Sequence, residues 1–307
     1  MSGTYTVGVD IGGTRVRAAL ISLANEIVSR AEEKTEAAAA PEDVVRQVTR
    51  LVAAVSQGLE HSAISAAGVC APGPLDTTEG IALVVPTIAG FKDYPLRRVL
   101  EEALSLPVTL EHDAPAAAFA EWKLGAGRGT TDMVFVTIST GIGSGAIIGG
   151  TLHRGRKGMA GHAGHMTTTP GGPRCSCGNQ GCWEAVASGT AFNRMAEAAG
   201  FANGAAVFAA SRAGDANAEA LVATLASQLG IGLVNLMHLF SPERIVLGGG
   251  VSVGLDRLQP YLAAHINRTA LSPFRDIPIL PASLGDNAGL LGVSLLARED
   301  RRSHIRA

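Results

Sequence analysis

Three of the four cysteines, Cys175, Cys177 and Cys182, fall within eight residues, and His165 stands just upstream. Thiolates and imidazole are the preferred ligands of zinc, and a structural zinc site takes four of them in a tetrahedron. His165, Cys175, Cys177 and Cys182 supply that number with none left over. Gly, Pro and Thr dominate the chain between them, so a bound ion would supply its order; such binding contributes roughly 10–16 kcal/mol in small zinc domains. A disulfide is the competing use, but Cys-x-Cys is poor spacing for one, and the remaining Cys70 lies in an apolar run. Glu184 follows Cys182 by two residues and His162 precedes His165 by three. An ion pinning this loop would hold both side chains in place.

Two glycine turns suggest phosphate chemistry. In Asp10-Ile11-Gly12-Gly13-Thr14 the glycines let successive backbone N–H groups approach a phosphate, and Thr14 adds a hydroxyl. Asp10, at a strand end, could hold a hydrated Mg²⁺. Thr140-Gly141-Ile142-Gly143 is the second such turn, and Gly248-Gly249-Gly250 after an apolar strand would let an adenosine approach the backbone. The first turn is neither a P-loop nor a dinucleotide fingerprint: it has no Lys-Ser/Thr, and a strand follows it. A plain hairpin turn is the alternative reading.

Asp113, between His112 and Ala114-Pro115, is the candidate general base. Phosphoryl transfer needs little from a protein beyond positioning, charge and a carboxylate to take the attacking hydroxyl's proton. The same position suits a helix N-cap, and the two roles are compatible. Asp76, Asp93 and Asp286 are the rival carboxylates. His112 and His162 are either satisfied structural histidines or faces of a cleft.

The elements that must hold these groups follow from periodicity. Apolar runs predict strands over 4–9, 16–23, 27–33, 65–71, 108–111, 133–139, 144–148 and 244–247. Helical spacing predicts helices over 41–59, 96–104, 113–124, 187–199, 205–212, 217–239 and 287–297, with a charged, frayed tail over 298–307. DIGGTRVRAAL and STGIGSGAIIGG overlay as β-turn-β units, which implies an internal duplication with a cleft between halves. The expected lobes are 1–112, with 287–307 packing back on it, and 113–286, carrying the metal loop 161–184. A net charge of −2 gives no electrostatic case for nucleic acid or anionic membrane. No signal peptide and no membrane-spanning apolar run are evident, and few cysteines suit a reducing cytosol, so a cytoplasmic protein is expected.

Taken together these motifs resemble the ROK family of sugar kinases over nearly the whole chain. VGVDIGGTRVRAAL is similar to that family's first phosphate loop, EHDAPAAAFAEW to its catalytic-aspartate segment and TDMVFVTISTGIGSG to its second phosphate loop. GHAGHMTTTPGGPRCSCGNQGCWE resembles its zinc-and-sugar signature, and RIVLGGGVSVG and DNAGLLGVSLLA its C-terminal nucleotide-side segments. The resemblance implies an α/β, two-lobed actin/Hsp70/hexokinase-like ATPase fold with duplicated βββαβα-type domains. It implies ATP with Mg²⁺, a structural Zn²⁺, a homodimer, and phosphorylation of a sugar hydroxyl, typically O6, with Asp113 as base. Sugar contacts would come from Gly73, His112, Asp113, His162, His165 and Glu184, and ATP contacts from Asp10, Gly12, Gly13, Thr14, Thr140, Gly141, Gly143, Gly249 and Gly250.

Two positions depart from the family's commonest pattern: His112 stands for an Asn and His162 for a Glu. The second exchanges an acceptor-only carboxylate for a group that can also donate. The Gly-His-x-Gly-His form resembles bacterial N-acetylmannosamine kinases, so that sugar is the first expectation and glucose or another hexose the runner-up. ATP versus polyphosphate as donor stays open. The rival readings are a sugar-sensing regulator without a DNA-binding domain and a sugar-binding protein without catalysis. The first strand is expected by about residue 4, which leaves no room for a helix-turn-helix ahead of it.

Overall fold

Two five-stranded sheets of the same topology carry the chain, which a computed structural model describes over residues 4–36, 40–85 and 88–306, with side chains to residue 301. The order is β1 (Tyr5–Ile11), β2 (Arg15–Ser22), β3 (Ile27–Lys34), α1 (Pro41–Val55), β4 (Ile64–Ala71), β5 (Leu75–Asp76), β6 (Ile81–Val84), β7 (Lys92–Tyr94), α2 (Leu96–Leu104), β8 (Val108–His112) and α3 (Asp113–Leu124). There follow β9 (Met133–Ile138), β10 (Ile142–Ile148), β11 (Thr151–Leu152), α4 (Trp183–Ala187), α5 (Gly189–Ala198), α6 (Gly204–Arg212), α7 (Ala216–Phe240), β12 (Arg244–Gly248), α8 (Leu255–Thr269), β13 (Ile279–Pro281) and α9 (Ala288–Arg306).

One compact unit comprises residues 1–123, 153–160 and 286–307; the other comprises 124–152 and 161–285. The first holds the sheet β3-β2-β1-β4-β8, the second β11-β10-β9-β12-β13. In each, the first three strands are antiparallel and the last two join in parallel. The parallel strands read as unbroken apolar runs because they are covered on both faces, whereas β3 alternates half-buried and exposed residues. Val44, Val48, Leu51 and Val55 line the buried stripe of α1, which starts at Pro41, where a missing N–H costs nothing.

In the first unit α9 packs on β1, β4 and β8, and glycine makes the approach possible. A Cβ at Gly68 would meet the Val293 backbone and lie 2.9 Å from its Cβ. A Cβ at Gly8 would likewise meet the Leu290 carbonyl, 3.0 Å from its carbon. In the second unit the core gathers on α7, where Gly232 admits the indole of fully buried Trp183. The Trp183 Nε1–H donates to the Gln228 carbonyl at 3.0 Å.

Several expectations are corrected. The boundary falls at 123/124 rather than at 112, because α3 continues from β8 and its Ala116 backbone touches Gly292 of α9. Helix α1 stops at Val55, four residues short of 59. The tail is helical to Arg306 rather than frayed; the Arg301 guanidinium donates to the Ser65 carbonyl at 2.5 Å. The three-stranded sheet β5-β6-β7 and helix α8 escaped prediction, the strands because they are short and α8 because Pro260 interrupts its pattern. Helix α7 is long and apolar enough by composition to cross a membrane, against the expectation that no such run exists; 56% of its apolar window is buried in the second unit.

Gly68→Ala tests the close approach of α9. It should cost about 1–3 kcal/mol of stability through overpacking, read as a lower urea midpoint at unchanged slope. Wild-type stability would mean that α9 can shift away at no cost.

Candidate functional site

In the first unit the parallel register decides which side chains meet. Asp10 on β1 lies opposite Cys70 on β4, Cys70 opposite Glu111 on β8, and Ala71 opposite His112. The carboxyl ends of three parallel strands therefore bring together Asp10, the Pro72-Gly73-Pro74 turn and Asp113. The crevice outside such strand ends is where open α/β sheets bind ligands. Of the four candidate carboxylates, Asp113 alone continues one of these strands. Asp76 is a buried structural anchor, accepting from Lys157 Nζ at 2.8 Å and from the Glu79 and Thr78 amides at 3.0 and 3.2 Å. The lysine contact, more than those amides, holds its carboxyl below the usual range. Asp93 sits on β7 with φ +50°, and Asp286 lies exposed beside Arg15 and Arg17.

Asp113 is the first residue of α3, and its Oδ1 accepts from the Ala114 amide at 2.7 Å. It reaches solvent, yet protein crowds round it. That desolvation, then the charge of Asp10, pushes its carboxyl up to about 6 against the opposing pull of the Ala114 hydrogen bond. Asp10 is nearly buried and pairs across β1 and β2 with the Arg17 guanidinium, which also donates to the Asp286 carbonyl at 3.0 Å. Gly12-Gly13-Thr14 forms the β1–β2 turn; the Gly12 amide donates to the Arg15 carbonyl at 2.9 Å, and the Thr35 hydroxyl donates to the Gly12 carbonyl at 2.5 Å.

His112 is 3% exposed, and its Nε2–H donates to the Leu75 carbonyl at 3.2 Å. That contact ties β8 to β5. Its amide donates to Glu111 Oε1 at 3.0 Å, and Glu111 Oε2 accepts from Arg154 Nε at 2.7 Å. Burial pushes the Glu111 carboxyl up, and Arg154 opposes it. Arg154 and Lys157 are the residues sequence reasoning missed. The basic run His153-Arg154-Gly155-Arg156-Lys157 was their only trace in the sequence; that the buried Glu111 and Asp76 each require a cation shows only in the fold.

In the second unit the β9–β10 turn is Ser139-Thr140-Gly141, closed by the Ser139 amide donating to the Gly141 carbonyl at 2.9 Å. Gly143 falls inside β10 opposite Thr137, outside the turn. Gly249 adopts φ +82° and presses on the Ile138 backbone, so glycine is needed there for packing. Nothing lies within 4 Å of the place a Cβ would take at Gly250. Gly250, Ser139, Thr140 and Thr190 border a cavity of about 550 Å³, with Phe192 and Phe208 in its wall.

Ligand-competent atoms of His165, Cys175, Cys177 and Cys182 all lie within 4.8 Å of one another. The Cys177 and Cys182 sulfurs are 3.7 Å apart, and Cys175 Sγ is 3.6 Å from His165 Nδ1. A tetrahedral ion with ~2.3 Å bonds to sulfur and ~2.05 Å to nitrogen has edges of about 3.8 and 3.6 Å. These separations fit a metal and exclude a disulfide. His162 is exposed, its ring centroid 6.3 Å from that of His165. Desolvation, then the neighbouring imidazole, lowers its pKa. Glu184 is half-buried, and its Oε2 accepts from the Ile142 amide at 2.9 Å.

The ROK family model matches residues 6–300. The chain is 35% identical to a glucokinase of Halalkalibacterium halodurans over 99% of this chain and 98% of that one. It is 37% identical to an N-acetylmannosamine kinase of Escherichia coli O1:K1, over 95% and 98%. Among solved structures, a ROK family glucokinase from Streptomyces griseus, in complex with glucose and AMPPNP, superposes with a TM-score of 0.84 at 34% identity, covering 96% of this chain and 99% of that one. The α/β architecture is that of the actin/hexokinase-like ATPases.

The four-donor cluster predicts close to one metal ion per chain in protein purified without chelators, and a large loss in Cys177→Ser, by elemental analysis. Full retention by that variant would remove Cys177 from the ligand set.

Proposed function

We propose that this chain, which belongs to the ROK family, transfers the γ-phosphoryl group of ATP to a hydroxyl of a hexose or N-acylhexosamine. The observation that carries the reading is the placement of Asp113, a carboxylate that reaches solvent directly after β8; desolvation and the charge of Asp10 push its pKa up to about 6. A base of that strength is ionised at neutral pH and still takes a proton from an attacking hydroxyl.

The roles follow from that premise. Asp113 accepts the sugar hydroxyl's proton, and Gly73, His162, His165 and Glu184 orient the ring. His112 acts less as a sugar contact than as the tie that fixes the strand beside Asp113. The turns at Gly12-Gly13-Thr14 and Thr140-Gly141 would offer backbone and hydroxyl donors to phosphates, and the cavity that Gly250 borders would take the adenosine. Mg²⁺ arriving with ATP neutralises phosphate charge, and Asp10 is the carboxylate suited to hold its hydration shell. The three-thiolate, one-imidazole set suits zinc, held closed with no open position for catalysis.

N-acetylmannosamine is the preferred acceptor in this reading and glucose the runner-up. The histidine at 162 offers a donor as well as an acceptor where a glutamate would only accept. A homodimer in a reducing cytosol completes the reading; thiolate ligands persist in that compartment.

ADP release coupled to a panel of glucose, mannose, N-acetylglucosamine and N-acetylmannosamine, with ATP and Mg²⁺, tests it. Release with none of them, despite sugar binding, would replace the kinase with a sugar-binding protein. Asp113→Asn should lower kcat by about 10²–10⁴-fold without unfolding the protein. The base must be ionised to work, so kcat/KM should fall as pH drops through about 6 and level off above it. A profile flat to pH 5 would sink Asp113 as the base.

A further inference from the structure

The turn Ser139-Thr140-Gly141 is not a free loop. Three hydrogen bonds stitch it and the first residue of β10 to the chain that directly follows the metal cluster. Glu184 Oε2 accepts from the Ile142 amide at 2.9 Å, the Gly189 amide donates to the Ser139 carbonyl at 2.7 Å, and the Thr190 hydroxyl donates to the Thr140 carbonyl at 2.8 Å. The first is the only one of the three that uses a charged group, and bonds to a carboxylate are about twice as strong as neutral ones.

Gly141 reports the same contact from the other side. A Cβ there would press into the Glu184 carboxylate, lying 3.1 Å from its carbon. Gly141 shows no positive φ. Its glycine therefore serves the approach of Glu184 and not an unusual backbone conformation. Glu184 stands two residues beyond Cys182 in α4, and Trp183 between them is fully buried against α7. The carboxylate is thus delivered to the turn from a rigid base.

We infer that Glu184 is a positioning residue for the nucleotide phosphates: its carboxylate holds the Thr140-Gly141-Ile142 turn in the shape that accepts them. This rests on the reading of that turn as a phosphate-binding element. Under the proposed function Glu184 also contacts the sugar, so one carboxylate serves both substrates. The metal loop then influences ATP binding as well as sugar binding.

Calorimetric titration of the metal-loaded protein with Mg²⁺-AMPPNP and, separately, with AMP in the absence of sugar tests the inference. Glu184→Ala should weaken AMPPNP by about tenfold, the worth of one charge-assisted hydrogen bond, and leave AMP within about twofold. Glu184→Gln, whose amide oxygen can still accept from Ile142, should bind AMPPNP within about threefold of wild type. Gly141→Ala, which displaces the carboxylate without removing it, should reproduce the loss. AMPPNP binding by Glu184→Ala equal to wild type would overturn the inference, and so would parallel loss of AMPPNP and AMP, the mark of a collapsed site. A wild-type protein that binds no AMPPNP would instead overturn the kinase reading on which it rests.

Discussion

The parallel register of β1, β4 and β8 is the constraint on which the placement of Asp10 and Asp113 depends. It aligns Asp10 with Cys70 and Cys70 with Glu111, so the residues one step further along emerge at a common edge. A shift of one residue in β8 would turn Asp113 to the other face of the sheet. The register in turn depends on close packing. Gly8 and Gly68 let the α9 backbone lie directly on the strands, and Ser294 of α9 exchanges a 2.5 Å hydrogen bond with Thr6 of β1. Side chains of ordinary size at those glycines would lift the helix and leave Thr6 and Ser294 buried without each other.

Buried charge makes the same end specific at some cost in stability. Glu111 is wholly buried and Asp76 nearly so, and an uncompensated carboxylate in either place would be strongly destabilising. The cations come from one short stretch, residues 153–160, where Arg154 meets Glu111 and Lys157 meets Asp76. The Thr77 amide donates to the Lys157 carbonyl at 3.0 Å, so the stretch is held through its backbone too. Lys157 takes φ +61°, a left-handed conformation unfavourable to a side chain, in the residue that also pairs with Asp76. The result is a clamp on both sides of the Asp113 edge, through β8 by Glu111 and through β5 by Asp76.

Much of this was legible in the sequence because it is written in periodicity and in ligand chemistry. Unbroken apolar runs marked β1, β4 and β9, a glycine turn after β1 and β9 exposed the duplication, and Cys-x-Cys with a nearby His pointed to the four donors that the fold gathers within 4.8 Å. What escaped was non-local or short. Strands of two to four residues, β5 to β7, carry too little pattern to stand out. The lengthening of α9 through a charged tail depends on tertiary contacts such as Arg301 with Ser65, which composition does not announce. The partnership of Glu111 with Arg154 spans 43 positions, and no local rule joins them. The sequence offered His112 as either a structural histidine or a face of a cleft; its hydrogen bond to the Leu75 carbonyl depends on β5, which the sequence did not announce.

The glycines illustrate how one residue type serves different physical ends within one kind of motif. Gly141 and Gly249 both border a turn that sequence reading assigned to phosphate or adenosine, yet each is required first by protein. Gly141 makes room for a carboxylate, and Gly249 presses on the Ile138 backbone with a left-handed φ. Gly250 alone of this set faces open space at the cavity. A glycine-rich turn therefore does two jobs in sequence. Its inner glycines let neighbouring elements close on the turn and hold its shape, and under the proposed function the N–H groups left over would face the phosphates. Rigidity is what gives such a turn value toward phosphates, because donors already aimed need no reorganisation when charge arrives.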